Sequence, residues 1–205
     1  MLVGVGLGPG DPDLMTIKAV ETLKRADIIF VPGRLASDLV EPYGTPHILE
    51  FPMTRDKDVL QSHWENNADK VAEYARDGLA AFGLIGDPNF FSTFTHLSRI
   101  IKLRHPGIFI ETIPGISSIT AFASRTNISI DTSFTVSDGS PVNDRIILKA
   151  RQPKKIVETL RLEGFSDFIL GQRLFSDTEE IITNTDDMPD TGDYFSIIHA
   201  RKQRD

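Results

Sequence analysis

A glycine-rich turn near the start of the chain, "GVGLGPG" (residues 4–10), is the first segment whose residue types could do chemistry. Glycine has no side chain, so the backbone of such a turn can approach a ligand closely. The turn is not a dinucleotide-binding G-x-G-x-x-G motif. Counted from Gly4, the third glycine position is Pro9, and counted from Gly6 it is Asp11. A dinucleotide is therefore disfavoured as the ligand.

The same turn also lacks the features of a phosphate-binding P-loop. That motif ends in Gly-Lys followed by Ser or Thr, whereas here no lysine occurs before Lys18. Asp11 and Asp13 follow the glycines directly, and their carboxylates would repel a phosphate. Carbonyl and carboxylate oxygens suit a cationic ligand instead. The turn alone leaves open a second interpretation, a tight strand–helix connection that binds nothing.

Two later loops follow the same design of an apolar strand, a turn with glycine and proline, and a helix start. The first contains "GDP" at 86–88, and the second contains "PGISS" at 114–118. Aspartate and serine are common helix N-caps, so Asp87, Ser117 and Ser118 also have a purely structural interpretation. Because open α/β sheets bind ligands at the carboxyl ends of their strands, we expect the three loops to line one crevice.

The elements that would position these loops are apolar strands alternating with helices. This alternation is typical of βαβ units and predicts a doubly wound parallel sheet in an N-terminal α/β domain over residues 1–130. Beyond residue 130, short strands surround one helix, "KKIVETLRLEG" (154–164). This pattern of short strands around one helix predicts a smaller C-terminal α/β domain with a mixed sheet over residues 131–205.

The composition excludes several classes of protein. The chain has 205 residues, a formal net charge of −7 and no cysteine, so disulfides and thiolate ligands are impossible. Its histidines are scattered without the spacing of metal ligands, so we expect no metal bound by the protein itself. Interspersed charges with an acidic surplus disfavour a nucleic-acid binder. No apolar run approaches the roughly 18 residues of a membrane span, and we expect a cytoplasmic protein without a membrane partner.

Taken in order, three motifs carry a resemblance to a known family. "GxGPGDP", "GDPxFxST" and "PGISSxTA", spread over residues 4–121, resemble the tetrapyrrole (corrin and porphyrin) methylases. The resemblance implies two α/β domains with S-adenosylmethionine, the methyl donor, bound in a cleft between them together with the substrate. It also implies release of S-adenosylhomocysteine and, commonly, a homodimer.

Further segments resemble one branch of that family. "FPMTRD", "IILKA", "GQRLFSDTEEI" and "DYFSII" are similar to the precorrin-2/cobalt-factor II C(20)-methyltransferases of cobalamin biosynthesis. This resemblance implies methyl transfer to carbon 20 of the macrocycle, and any cobalt would arrive inside that substrate. Two alternatives stay open: a tetrapyrrole methylase with another ring position or substrate, and a non-catalytic domain that binds the donor.

The resemblance assigns donor-binding positions to specific residues of this chain. They are Gly8, Pro9, Gly10, Asp87, Phe90, Ser117, Ser118, Leu148 and Ser196. The last two match backbone positions that hold the adenosyl part, although such a leucine on its own is more commonly a core residue. Where the family usually has tyrosine before the Ser-Thr pair, this chain has Phe91.

Two roles are left without an assigned residue. The candidates for the base that removes the proton from the methylated carbon are Asp11, Asp87, His63 and His96. Because the protein is net acidic, local cations must hold the carboxylates of a tetrapyrrole. The candidates for this second role are Arg34, Arg55, Lys57 and Arg125, each of which could equally be a solvated surface charge.

Overall fold

The computed structural model describes residues 1–52 and 56–203. The chain divides into two compact units, Met1–Thr132 and Ser133–Asp205, called here the first and the second unit. Within the described ranges no helix is both long enough and apolar enough to cross a bilayer. The same ranges contain no group of His, Asp or Glu side chains arranged to hold a metal ion.

The first unit is built on a parallel sheet. Its strands are β1 (Leu2–Gly6), β2 (Ile28–Val31), β3 (Pro46–Ile48), β4 (Ala80–Leu84) and β5 (Ile110–Ile113). They pair in the order β3-β2-β4-β1-β5, and every pair is parallel. The predicted doubly wound parallel sheet is confirmed. Every residue of β1 and β4 is buried, as expected for central strands covered on both faces.

The two faces of this sheet are covered by α1 (Ile17–Arg25), α2 (Arg34–Val40), α3 (Lys57–Ala75) and α4 (Thr93–Arg104). The helix that follows β5 is α5 (Ser118–Thr126), which has no buried residue. Leu23 of α1 and Val40 of α2 pack with Val5 on one face. Leu97 of α4 packs with Phe82 on the other face, which α3 also covers. Because the five strands are parallel, the loops that follow them all emerge at the carboxyl ends of the strands, which are called here the carboxyl edge of the sheet.

The second unit has its own sheet and core. Its elements are β6 (Asp144–Leu148), α6 (Pro153–Leu162), β7 (Asp167–Gln172), β8 (Glu180–Ile182) and β9 (Ser196–Arg201). The sheet order is β6-β9-β7-β8, and each of these described pairs is antiparallel. The fold class is confirmed with one correction, because this sheet is antiparallel and not mixed. The reason is that β9 lies between β6 and β7, so the two strands joined by α6 never pair with each other.

Candidate functional site

The three glycine loops meet at the carboxyl edge of the first sheet, because β4, β1 and β5 are neighbours in it. The amide of Gly86 donates a hydrogen bond of 2.7 Å to the carbonyl of Gly8. A Cβ atom on Gly6 would lie 2.5 Å from the amide nitrogen of Gly115 and 2.7 Å from the carbonyl oxygen of Gly86. The loops thus touch backbone to backbone, at a distance that only glycine permits.

Positive φ angles shape the surface of these loops. Gly8, Gly10 and Gly86 have φ angles of 74°, 119° and 79°, a region that residues with a side chain rarely adopt. A Cβ on Gly8 would meet the carbonyl oxygen of Leu14 at 2.7 Å, so this turn is tightly packed. A Cβ on Gly10 or Gly86 would meet nothing within 4 Å. The backbone at these two positions therefore borders open space that a ligand can enter.

Asp87 joins the second loop to the third. Its side chain is 9% exposed, and Oδ1 accepts the amide hydrogen of Asn89 at 2.8 Å, while Oδ2 accepts that of Gly115 at 3.1 Å. The interpretation of Asp87 as the N-cap of the following helix is wrong. The N-cap of α4 is Ser92, whose Oγ accepts the amide hydrogen of Phe94 at 3.0 Å. The carboxylate of Asp87 instead fixes the distance between two loops.

Two aromatic side chains project from the second loop. Phe90 is 48% exposed and Phe91 is 69% exposed, and Phe91 has a φ angle of 50°. A left-handed conformation in a phenylalanine costs about 1–3 kcal/mol and persists only where its surroundings fix it. The hydrogen bond of 3.1 Å from Asn89 Nδ2 to Thr112 Oγ1 ties this loop to β5. The two phenylalanine side chains therefore form an exposed apolar surface on a loop whose position is fixed.

The remaining predicted residues of the first unit have identifiable local roles. Pro9 is half-buried in the first loop, and Asp11 is exposed and caps the short 3-10 turn that follows it. Ser117 is the N-cap of α5, and its Oγ accepts the amide hydrogen of Ile119 at 3.3 Å. Ser118 is the exposed first residue of that helix. The structure thus brings the predicted residues of the first unit to one edge.

The predicted residues of the second unit also share one end of their sheet. Leu148 ends β6, Ser196 begins β9, and Leu148 is paired in register with Ile197. The Leu148 side chain is 66% exposed, so its interpretation as a core residue is wrong. Ser196 is fully buried, and its carbonyl accepts the amide hydrogen of Ala150 at 2.9 Å.

Gln172, at the end of β7, is a site residue that the sequence did not single out. Its Oε1 accepts hydrogen bonds from Ser196 Oγ at 2.8 Å and from the amide of Asp193 at 3.0 Å. Its Nε2 donates to Glu180 at 2.9 Å. In the sequence, Gln172 follows the apolar run "FIL" and a glycine, and it lies in the segment "GQRLFSDTEEI" quoted above for its resemblance to one branch of the family. The buried amide holds the start of β9 in place.

Asp193 is stabilised in its charged form next to this amide. Its Oδ1 accepts the amide hydrogen of Phe195 at 2.8 Å, and its Oδ2 lies 3.3 Å from Arg173 Nη1. The hydrogen bond from Phe195 and the Arg173 guanidinium hold the pKa of the Asp193 carboxyl below its usual value. The loop before β9 is thus fixed by an ionised carboxylate.

Comparison with known proteins identifies the family. Residues 1–175 match the family model of the tetrapyrrole (corrin/porphyrin) methylases. The chain belongs to the tetrapyrrole methylases. This finding confirms the resemblance drawn from the three loop motifs. The methyl donor of tetrapyrrole methylases is S-adenosylmethionine.

Three individual similarities illustrate this membership. The probable cobalt-precorrin-2 C(20)-methyltransferase of Methanocaldococcus jannaschii is 41% identical over 136 residues, covering 62% of this tetrapyrrole methylase and 57% of the relative. The precorrin-2 C(20)-methyltransferase of a Sinorhizobium species is 34% identical over 142 residues, covering 58% and 55%. The chain thus spans little more than half the length of these relatives. Uroporphyrin-III C-methyltransferase from Thermus thermophilus shares the fold, with a TM-score of 0.54 and 19% identity over 98% of this chain and 91% of that one.

The glycine loops of this tetrapyrrole methylase fit S-adenosylmethionine. The donor carries a sulfonium and an ammonium group against one carboxylate, so its net charge is positive. The loops at 7–16, 85–92 and 114–118 contain no lysine or arginine but include Asp11, Asp13 and Asp87. Open space borders the backbone at Gly10 and Gly86. Both the charge and the free space therefore suit this ligand.

The candidate bases of this tetrapyrrole methylase lie in different elements. His63 is half-buried on α3, and His96 is exposed in the first turn of α4, where its ring centroid lies 5.3 Å from that of Trp64. Asp11 is exposed in the first loop, and Asp87 is occupied in joining two loops. Because both carboxylate oxygens of Asp87 accept backbone hydrogen bonds, the two histidines and Asp11 are left as candidates for the base.

The candidate cations for substrate carboxylates lie at different distances along the chain from the glycine loops, and Arg34 and Arg125 lie in different elements. Arg34 is exposed at the first position of α2, directly after β2, and so lies at the carboxyl edge. Arg125 is exposed in the last turn of α5, at the end of that helix remote from the edge. Arg55 and the side chain of Lys57 lie outside the described residues. Arg34 is therefore the described member of this set that the fold places beside the loops.

Proposed function

We propose that this chain functions as an S-adenosylmethionine-dependent C-methyltransferase acting on carbon 20 of precorrin-2 or cobalt-factor II in cobalamin biosynthesis. The observation that carries the proposal is the set of three cation-free glycine loops in backbone contact at one sheet edge, in a chain of this family. The names of two relatives at 41% and 34% identity support carbon 20 as the position. We also expect a cytoplasmic homodimer.

In this proposal the work of the chain is to position the two reactants. S-adenosylmethionine, when bound, supplies an electrophilic methyl group. The glycine loops, held together by Asp87, bind the donor through backbone carbonyls, and Phe90 provides apolar surface beside it. Alignment of this kind can contribute about 7–11 kcal/mol to lowering a barrier. A base in reach of the methylated carbon then takes its proton.

We further propose donor-binding positions in the second unit. The resemblance implies that Leu148 and Ser196 hold the adenosyl part of the donor. Both residues lie at the end of the second sheet where Gln172 fixes the backbone. Calorimetric titration with S-adenosylhomocysteine tests this separately for each unit, because variants of Gly10 and of Gln172 change residues in different units. We expect both to weaken binding.

A second candidate function is methylation at another ring position. The observation that favours it is a similarity of 28% identity over 123 residues to a cobalt-precorrin-4 C(11)-methyltransferase from Priestia megaterium. The two functions require the same donor and differ in which macrocycle is bound and in which of its carbon atoms faces the methyl group.

Turnover with labelled donor distinguishes these functions. The chain is incubated with donor carrying a ¹³C-methyl group and, in separate reactions, precorrin-2, cobalt-factor II or cobalt-precorrin-4, and the product is assigned by NMR. A label at carbon 20 is the expected result. A label elsewhere supports the second candidate. Binding of S-adenosylhomocysteine without turnover of any of the three macrocycles would show a donor-binding domain without catalysis.

A further inference from the structure

A cationic and aromatic cluster lies at the same end of the second sheet as Leu148. Lys149 Nζ lies 5.4 Å, and Arg151 Cζ 5.3 Å, from the centroid of the Tyr194 ring. Tyr194 is 47% exposed, and its ring packs edge-on against Phe195 at 5.2 Å. Two cations on one exposed ring form a surface suited to a planar anion.

The two cations have no acidic partner in the described structure. Among residues 1–52 and 56–203, neither Lys149 nor Arg151 forms an ion pair with a carboxylate. Other cations of the second unit do, since Arg173 pairs with Asp193 and Lys154 pairs with Asp190. Two like charges held near one ring repel each other, and a bound anion removes that repulsion. The cluster therefore favours an anionic ligand.

The backbone fixes the cluster in this arrangement. The amide of Arg151 donates to the carbonyl of Lys149 at 2.8 Å, and the amide of Gly192 donates to the carbonyl of Arg151 at 2.9 Å. Lys149 has a φ angle of 54°, a left-handed conformation that is uncommon for lysine. Conformations of this kind concentrate at ligand sites, where the surrounding structure holds them. The cations are thus presented from a constrained segment.

The charge of the possible ligands decides which one the cluster takes. The sulfonium and ammonium groups of the methyl donor are positively charged, so a pair of uncompensated cations repels these groups, although not the uncharged adenosyl part proposed above for Leu148 and Ser196. A tetrapyrrole that carries several carboxylates on an aromatic macrocycle matches both the cations and the partly exposed ring of Tyr194. Because the chain carries a net charge of −7, such a substrate must be held by local cations.

We propose that Lys149, Arg151 and Tyr194 form a binding site for the carboxylates of the tetrapyrrole substrate. The proposal rests on the proposed function, since it names the residues that would hold the macrocycle. It adds residues of the second unit to the candidate Arg34 of the first unit. No covalent step is involved.

Titration with uroporphyrin, a porphyrin with carboxylates on every pyrrole ring, tests the site directly by porphyrin fluorescence. We expect Lys149→Gln and Arg151→Gln each to weaken binding about tenfold, and the double variant more, because each removes one charge-assisted contact. Lys149→Arg and Arg151→Lys should retain most of the affinity. The salt dependence of binding should decrease in the neutral variants.

Lys202→Gln provides the matched control. Lys202 Nζ also lies over an aromatic ring, 5.1 Å from the centroid of Phe165, but Lys202 follows the opposite end of β9. This variant should bind uroporphyrin as the unmodified chain does. Calorimetry with S-adenosylhomocysteine on every variant shows whether the donor site is intact, and we expect unchanged donor affinity.

The outcomes separate this proposal from the proposed function. Uroporphyrin binding that depends on the two cations, in a chain that methylates no tetrapyrrole, supports the site while the proposed function fails. Unchanged uroporphyrin affinity in the double variant overturns the site even if methylation is observed. Loss of S-adenosylhomocysteine affinity in place of porphyrin affinity also overturns it, because the carboxylate bound would then be that of the donor. A chain that does not bind uroporphyrin overturns it as well.

Discussion

The carboxyl edge of the first sheet and the Ser196 end of the second sheet are built by opposite means. At the first edge, glycines bring backbone against backbone, and one buried carboxylate, that of Asp87, joins two loops. At the second, the buried amide of Gln172 holds the backbone while exposed side chains form the surface. The three glycine loops of the first edge have acidic side chains and no lysine or arginine, whereas the second edge presents Lys149 and Arg151.

This difference shows how two ends of one chain can present chemistry suited to ligands of opposite charge, as the two proposals above require. Backbone carbonyls and carboxylates suit a cation, and they need close approach, which glycine provides. Ammonium and guanidinium groups suit carboxylates, and they reach outward from a fixed backbone. Each edge is therefore specialised by its residue types, and substitutions should affect the stability of the two edges independently.

The largest effect is expected from Gly6→Ala. The new Cβ would overlap the amide nitrogen of Gly115 and the carbonyl oxygen of Gly86, so the loops must separate. We expect a loss of about 3 kcal/mol in the free energy of unfolding, and loss of donor binding. Urea denaturation and calorimetry with S-adenosylhomocysteine measure both. The control is Gly107→Ala, where a Cβ meets nothing within 4 Å. Equal stability of the two variants would refute the close contact.

A smaller effect is expected from Asp87→Asn. The amide group can accept only one of the two backbone hydrogen bonds now received by the carboxylate, so the amide of Asn89 or Gly115 loses its partner. This should cost about 2 kcal/mol of unfolding free energy and weaken donor binding. Asp38→Asn, at an exposed position on α2, is the control and should leave both quantities unchanged. Full donor affinity in Asp87→Asn would show that the carboxylate does not position the loops.

On the second edge, Gln172→Met should cost about 1.5 kcal/mol, because the Ser196 hydroxyl and the Asp193 amide lose their acceptor. Hydrogen exchange should show faster opening of β9 and no change in β1 or β4. Gln203→Met, at an exposed position, serves as the control. Faster exchange throughout the first sheet would contradict independent edges.

The smallest effect concerns pH. The hydrogen bond from Phe195 and the Arg173 guanidinium lower the pKa of Asp193 from its ordinary value of 3.8. Because the folded-state pKa is depressed, the ionised carboxyl stabilises the fold above 3.8, and this contribution is lost as pH falls through the lowered pKa. Asp193→Asn should therefore reduce the acid sensitivity of the second unit below about pH 4, measured by circular dichroism. Asp190→Asn is the control, and an identical acid profile for both variants would count against this role.

Much of the first unit follows from local sequence. The apolar strands and their turns predict the parallel sheet, and sheet topology then places the loops after β4, β1 and β5 side by side. Helix α2 was not predicted, because its seven residues, Arg34–Val40, are too few for a clear helical period. The sequence also does not identify the N-cap of α4, since Asp87 and Ser92 are both good caps and only the tertiary partner Gly115 distinguishes them.

The second unit was less predictable because its decisive contacts are distant in sequence. Strand β9 pairs with both β6 and β7, and nothing local indicates that it inserts between them. The same pairing brings Tyr194 to Lys149 and Arg151, which lie more than forty residues earlier. Gln172 meets Ser196 for the same reason. The donor-binding residues assigned by resemblance remain predictions, which the variants above test.

The central place of β9 also sets an order for folding during synthesis. The first sheet has all its strands once Ile113 has emerged from the ribosome, so that unit can form early. The second sheet needs Ser196–Arg201 between β6 and β7, and until then those strands have unpaired backbone groups. A translational pause before residue 196 would therefore leave a finished first unit attached to an incomplete, aggregation-prone second one.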